Sequence, residues 1–358
     1  MKSVLGASLI VAALSGLSPS AVANEFYRGK TLTCVVPYPA GGATDTFFRT
    51  VLPYVKKHTA GNPQILVQNM AGAGGIMGNN HVYDLARPDG LTALCAPWLS
   101  VAQAAKSEGV RFDYTKMKLV GAHRAVNTVL VATALVNDPA EITSKPFVLG
   151  GLVPSSSIDL RTRIALDMIG AKYRYVAGFA GDAPRMPALH RGEIHMIPQN
   201  FGTYLANYKK SLGPEGDRIL RPLWYYPSFD SSGNPVSIPE AEKDGFERFD
   251  LVYARAKGAA PSGENWEMFK WFENISNTIS LSMWLPERAP DQALEALRDG
   301  WNRVVDDPEF RAEYRTRFGD EPIIWASEED KKSALDALRN APDNYIAHIR
   351  TMIESGGR

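Results

Sequence analysis

The stretch Pro37-Tyr38-Pro39-Ala40-Gly41-Gly42-Ala43-Thr44-Asp45 follows a β-branched run, Thr31 to Val36, and precedes a helix-like segment, Phe47 to Lys57. It reads as a strand, a tight loop and a helix start. Glycines at 41 and 42 can take backbone angles closed to other residues and leave room for a ligand to touch the main chain. The free amides of a helix N-terminus point the same way and carry partial positive charge, so such a loop attracts an anion. A second loop of this kind follows: strand Gln64 to Asn69, loop Ala71-Gly72-Ala73-Gly74-Gly75-Ile76-Met77-Gly78, then helix-like Asn79 to Leu85. In an open parallel sheet both loops emerge at the carboxyl ends of neighbouring strands, where ligands bind in such folds.

Working outward, the order from Tyr27 to Pro97 is strand, Gly loop, helix, strand, Gly loop, helix, strand, which predicts a parallel sheet with flanking helices. Leu119 to Ala122 and Thr128 to Ala134 read as strands leading out of this lobe. A second lobe repeats the logic. It has strand Phe147 to Gly151, loop Val153 to Ser157, helix Ile158 to Ile169, strand Tyr173 to Ala177, loop Gly178 to Asp182, helix Ala183 to His190, a stop at Gly192, and strand Ile194 to Pro198. Ile219 to Tyr226 is a further strand, followed by a loop rich in Pro, Gly, Ser and Asp. Leu294, Leu297, Trp301 and Val304 mark one face of a helix over 291–306, and Ser327 with Asp330 starts a last helix to Arg339. The fold class is α/β with two lobes: 24–122 for the first part of lobe 1, 123–248 for lobe 2, and 249–358 for the return to lobe 1 with C-terminal helices.

The chain has 358 residues, 45% of them hydrophobic, with 39 basic and 39 acidic side chains. No basic block stands out from this neutral total, so nucleic acid is not an expected partner. Residues 1–23 read as an export signal, with Lys2, an apolar run from Val4 to Leu17 and a small-x-small site at Ala21-Val22-Ala23. Cleavage after Ala23 and a periplasmic, monomeric mature protein are expected. Cys34 and Cys95 each lie in an apolar strand. Two buried thiols packed as small hydrophobes are the expectation, and a disulfide is the alternative that an oxidising compartment allows.

The ligand-binding candidates follow from their places. Tyr38, Ala40, Gly41, Gly42 and Ala43 form the first loop, and Ala73, Gly74 and Gly75 the second. Asp45 either complements the helix dipole or accepts from a ligand hydroxyl or ammonium. Trp98, Ser100 and Phe179 stand beyond strand ends, where side chains either line a cleft or pack beneath it. Ser155 and Ser156 are donors for ligand oxygens as well as ordinary loop formers. Asp182 poses the same choice as Asp45, with the cap favoured. Gly72-x-Gly74-Gly75-x-x-Gly78 has Met77 where a dinucleotide fingerprint needs a small residue and sits on the second strand–helix turn, so no nucleotide cofactor is expected. His190 and His195 lack metal-ligand spacing, and the sequence contains neither a Gly-x-Ser-x-Gly nor a His-Glu-x-x-His motif. No metal or catalytic residue is assigned.

Taken together, the exported start, the 37–45 motif, Val67-Gln68-Asn69-Met70-Ala71-Gly72-Ala73-Gly74-Gly75 and Ala86-Arg87-Pro88-Asp89-Gly90-Leu91-Thr92 resemble the Bug-type family. These are the extracytoplasmic solute-binding proteins of tripartite tricarboxylate transporters. Weaker likeness continues through Gly181-Asp182-Ala183-Pro184 and Leu189-His190-Arg191-Gly192-Glu193-Ile194 to Asp307-Pro308-Glu309-Phe310. The resemblance implies a Venus-flytrap fold of the second periplasmic-binding-protein type. Loops matching 38–43 and 72–75 would hold a ligand carboxylate by main-chain groups and waters, and 154–157 and 178–182 would close over it. It further implies a small organic acid as ligand and membrane permease subunits as partners. A sensor kinase as the partner, or an exported α/β hydrolase or oxidoreductase, are the competing readings.

Overall fold

The computed structural model describes residues 25–179, 182–209, 219–230 and 232–356. The export-signal expectation lies outside these residues. The first sheet has the order β2-β1-β3-β13-β4, with β1 Thr31–Val36, β2 Gln64–Asn69, β3 Thr92–Pro97, β4 Lys118–His123 and β13 Leu281–Leu285. The second has the order β12-β9-β5-β8-β6-β7, with β5 Asn127–Ala132, β6 Phe147–Gly150, β7 Tyr173–Val176, β8 Met196–Asn200, β9 Leu220–Tyr225 and β12 Glu247–Arg248. The loop after β9 carries a small ribbon, β10 Ser228–Phe229 and β11 Pro235–Val236. Helices flank both sheets, giving the expected two-lobed α/β architecture.

Each sheet holds one reversed strand. β13 runs antiparallel to β3 and β4, and β5 antiparallel to β8 and β9, whereas β1 is parallel to β2 and β3, and β6 to β7 and β8. The reason is the route of the chain. β4 runs toward the gap between the lobes, the chain crosses at 124–126, and β5 must run away from that gap. The return does the same, so that β13 enters the first sheet from the gap. All other principal strands therefore carry their carboxyl ends, and the loops that follow, to the facing rims of the two lobes.

Before the return, the helix Glu264–Asn277 packs on the helix Ser157–Ile169 of the second lobe and on the helix Glu328–Arg339. Buried Arg161 donates to Glu273 and, at 2.8 Å, to the Ser276 hydroxyl. One apolar core therefore runs continuously from Leu94, Trp98 and Trp284 of the first lobe to Leu149, Trp224 and Phe269. A second core lies on the other face of the first sheet. There Leu294, Leu297, Trp301 and Val304 form the buried stripe expected from their spacing. Gly121 of β4 is where the Trp301 indole rests, and any Cβ would collide with that ring. The Ser327–Asp330 capping box and the left-handed Gly192 are as the sequence predicts. Pro53 sits inside the helix Ala43–His58, which begins four residues earlier than its apolar pattern indicates.

The cysteines require a correction. Cys34 and Cys95 form a disulfide, with their Cα atoms 5.8 Å apart. β1 and β3 are neighbours in which Cys34 faces Ala93, so Cys95 is the diagonal residue on the same face. That offset brings the two Cα atoms into the ordinary range for a bridge. The bridge closes a sequence separation of 61 residues. Replacing both cysteines with alanine is expected to lower unfolding stability by about 2–4 kcal/mol, read as a lower urea midpoint. Two titratable thiols in the denatured, unreduced protein would contradict the pairing.

Candidate functional site

The two glycine loops follow β1 and β2, adjacent parallel strands, and are bound to each other. The Tyr38 hydroxyl donates to the Gly74 carbonyl at 2.9 Å. The Asn69 amide donates to the Tyr38 carbonyl at 3.0 Å and to Asp45 Oδ1 at 2.9 Å. Asp45 Oδ2 accepts from the Gly41 amide and from Arg49 Nε, both at 2.8 Å, and Arg49 Nη2 reaches Asn69 Oδ1 at 3.1 Å. Burial works to raise the Asp45 carboxyl. The hydrogen bonds from Arg49, Gly41 and Asn69 outweigh it and hold the group below the usual carboxylate range. Burial also pushes the Tyr38 phenol up to about 12, so it stays a donor.

The second loop has four consecutive positive φ values: Gly72 +155°, Ala73 +48°, Gly74 +63° and Gly75 +96°. The Gly75 amide donates back to the Gly72 carbonyl at 2.9 Å, which closes the loop as a tight turn and leaves the Ala73 and Gly74 backbone at its exposed tip. Two of its glycines are needed for packing: a Cβ on Gly75 would meet the Tyr38 hydroxyl at 2.8 Å, and one on Gly78 would meet Pro37 at 2.7 Å. Gly41 and Gly74 differ. Both have positive φ, and a Cβ on either would enter open space. Ala40, Gly41, Ala43, Ala73 and Gly74 are exposed and Gly42 is half-buried. Gly42 is the residue before the helix Ala43–His58, whose first-turn amides have no carbonyl behind them. The arrangement can bind an oxyanion by main-chain donors.

The second lobe uses a related device. Buried Asp159 accepts at Oδ2 from the Leu152 amide at 2.6 Å, the Val153 amide at 3.2 Å and the Tyr175 hydroxyl at 2.9 Å. Burial is the larger influence here and raises its carboxyl to about 6 against those hydrogen bonds. Asp45 and Asp159 are each the third residue of the helix after a lobe's loop. Ser155 is exposed, and Ser156 precedes the helix without a side-chain cap. Gly178 and Phe179 donate to the carbonyls of Leu152 and Gly151 at 2.8 and 3.3 Å, which joins the two rim loops of this lobe. Phe179 is half-buried against the lobe's core. Residues 180 and 181 and the side chain of Asp182 lie outside the described residues.

Trp98 and Ser100 stand apart from these loops. The Trp98 ring is 3% exposed and packs on Tyr114 and Trp284. Ser100 is fully buried, its hydroxyl donating to the Ile275 carbonyl. Both serve the core in this conformation. Sequence reasoning did not single out Asn69, which links the two loops, or Asp159. An acidic residue three places into each helix was the available signal for Asp159; nothing local marks Asn69. Two concavities, of about 960 and 590 Å³, lie against the β6–β7 edge and along Glu264–Asn277, and neither is lined by the glycine loops.

No protein-family model matches the chain. A stretch of 73 residues is 38% identical to the protein BugT of Bordetella pertussis, covering 20% of this chain and 22% of BugT. Another of 74 residues is 43% identical to a UPF0065 protein of Agrobacterium vitis, covering 21% of this chain and 20% of that protein. The matches thus span about a fifth of these relatives' length. Among solved structures, the chain is similar to a TctC solute-binding protein from Polaromonas (18% identity, TM-score 0.62, 92% of this chain and 99% of that one). It is also similar to MatC of Rhodopseudomonas palustris with bound malate (17%, 0.54, 90% and 99%) and to an R. palustris protein with adipate (19%, 0.56, 92% and 97%). The shared fold is the two-lobed one of periplasmic binding proteins.

The Asp45 network yields a stability test. Asp45→Ala leaves the Gly41 and Asn69 amides without their acceptor and is expected to cost about 1–3 kcal/mol. Because the native carboxyl is held below its ordinary value, its contribution is present above the usual carboxylate range and is lost as pH falls through the native value. Urea unfolding of wild type and variant should differ at pH 7 and converge in acid.

Proposed function

We propose that this chain, of the Bug and TctC type in its N-terminal motifs and its fold, is an exported receptor. It traps a small carboxylate-bearing solute between two lobes and delivers it to a tripartite tricarboxylate-type membrane permease. The observation that carries this reading is the pair of loops 38–43 and 72–75, joined through Tyr38 and Asn69, with open space at Gly41 and Gly74. A carboxylate seated there meets main-chain amides and two helix starts, while the nearest cation, Arg49, is already engaged by Asp45 and Asn69. Recognition by amides suits an acid whose chain then extends toward the second lobe. Malate and adipate, bound by two of the structural neighbours, have that form, and we take a small dicarboxylate as the first ligand class to test. With Trp98 in the core, the aromatic candidates left at the loops are Tyr38 and Phe179.

Charge-assisted hydrogen bonds contribute about 1.5–3 kcal/mol each, so a few of them suffice for micromolar affinity, roughly 8 kcal/mol. The work of the receptor is closure, driven by contacts that exist only when both lobes touch the ligand. The test is thermal unfolding of protein refolded to strip native ligand, with malate, adipate and neutral sugars added in turn. An acid should raise the melting temperature, and Gly41→Val or Gly74→Val should remove that shift. Gly258→Val is the control, because Gly258 has the same left-handed backbone (φ +75°) and open surroundings far from the loops. It should carry the strain and keep the response. A shift with sugars alone, or an undiminished response in both loop variants, contradicts the reading.

A further inference from the structure

The two lobes carry the same pair of side chains with opposite outcomes. Asp45 and Arg49 are the third and seventh residues of the helix Ala43–His58, and the guanidinium closes on the carboxylate through Nε at 2.8 Å. Asp159 and Arg163 hold the same two places in the helix Ser157–Ile169, but here the pair is not made. The Tyr175 hydroxyl takes Asp159 Oδ2 at 2.9 Å, and the Arg163 guanidinium lies 4.8 Å over the Tyr175 ring instead. Arg163 is 5% exposed. Its Nη2 donates to the Ser355 hydroxyl at 3.2 Å, whereas Nε and Nη1 have no hydrogen-bond partner among the described residues. A buried guanidinium with unused donors is costly unless an acceptor reaches it.

The groups around this guanidinium also line the concavity of about 960 Å³ at the β6–β7 edge: Arg163, Tyr175, Ser355 and Gly356 are all in its wall. Lys172 and Arg174 share the lining, are exposed, and have no ion pair among the described residues. The carboxylate that lines it, Asp167, accepts from the Tyr173 hydroxyl at 2.9 Å, and burial raises its carboxyl, so it opposes an anion weakly. We propose that this concavity is a second ligand site, separate from the glycine loops, for a small oxyanion of the phosphate type. Arg163 anchors the anion from beneath, and Lys172 and Arg174 attract it from the surface. Three cations and a planar guanidinium suit a multiply charged oxyanion with several acceptor oxygens better than a lone carboxylate.

Helix capping does not account for this arginine. Arg163 lies at the C-terminal end of the helix Asp343–Ser355, where a cation is favoured, yet its bond there goes to the Ser355 hydroxyl, and the Met352 carbonyl is served by Ser355 Oγ and the Gly356 amide, both at 3.1 Å. Nε and Nη1 stay unused. They are covered by the last turn of that helix: a Cβ on Gly356 would meet Nη1 at 2.7 Å and the Tyr175 ring at 3.2 Å. An anion therefore gains the guanidinium by displacing the Ser355–Gly356 turn, and that displacement is part of what can be observed. The same turn lies against the rim loop of the second lobe, where the Gly356 Cβ would come within 3.2 Å of Pro154.

Calorimetric titration with inorganic phosphate, in a buffer free of other oxyanions, tests this. Wild type should bind a single phosphate, and Arg163→Gln should bind it about 10- to 100-fold more weakly, as loss of a charge-assisted hydrogen bond implies. Because Arg163 is buried, the exposed double variant Lys172→Gln with Arg174→Gln keeps the test independent of folding. It should weaken binding by about two- to fivefold for each charge and flatten its salt dependence. In ¹⁵N spectra of wild type the Arg163 Nε–H and the Ser355 and Gly356 amides should shift with phosphate. Gly41→Val should bind phosphate as wild type does, which separates this site from acid capture at the glycine loops. Absence of phosphate binding to wild type overturns the proposal, including the case in which vesicles of phosphatidylglycerol bind and free phosphate does not. So does binding that survives in Arg163→Gln, or that is lost in Gly41→Val.

Discussion

A buried carboxylate with every nearby donor aimed at it organises the candidate site. Asp45 accepts from the amide of Gly41 in one loop, from Asn69 at the end of the strand that leads into the other, and from Arg49 one turn along its own helix. Through Asn69 the same network grips the Tyr38 carbonyl, and through the Tyr38 hydroxyl it reaches Gly74. Without these bonds the loops would be two glycine-rich turns free to move apart. With them, the two loops are held against each other, so a ligand seated there would meet a backbone already ordered. Because Asp45 consumes the charge of Arg49, the open face of the loops presents main-chain dipoles rather than a free cation.

The second lobe reaches a similar end with a different balance. Asp159 ties Leu152 and Val153 to their helix as Asp45 ties Gly41, but here burial outweighs the hydrogen bonds and raises its carboxyl to about 6. The lobes are not independent bodies joined by a thread. The helix Glu264–Asn277, held by the Arg161–Glu273 pair, and the apolar core running past Trp98 and Trp284 to Phe269 join them along one side.

Much of this was legible in the sequence, because it is local. Strand, glycine loop and helix follow one another within about thirty residues, the Leu294–Val304 stripe repeats at helical spacing, and Ser327–Asp330 caps its own helix. What was not legible depends on pairing between distant segments. The Cys34–Cys95 bridge needs the β1–β3 register, which no local pattern states. Trp98 and Ser100 follow a strand end, as a cleft residue would, yet the return of Ile275 and Trp284 from far along the chain covers them. Asn69 reads as an ordinary strand terminus until the neighbouring loop is placed beside it.

The central claim is that backbone amides of two loops in one lobe share a single acid group. Amide chemical shifts of ¹⁵N-labelled protein, followed while adipate is added, examine it atom by atom. The account expects the amides of the Gly41–Ala43 and Ala73–Gly75 stretches to shift together along one saturating curve, with the largest changes at positions where the loops are open. Saturable binding that leaves both stretches unmoved, or moves only one of them, would contradict it.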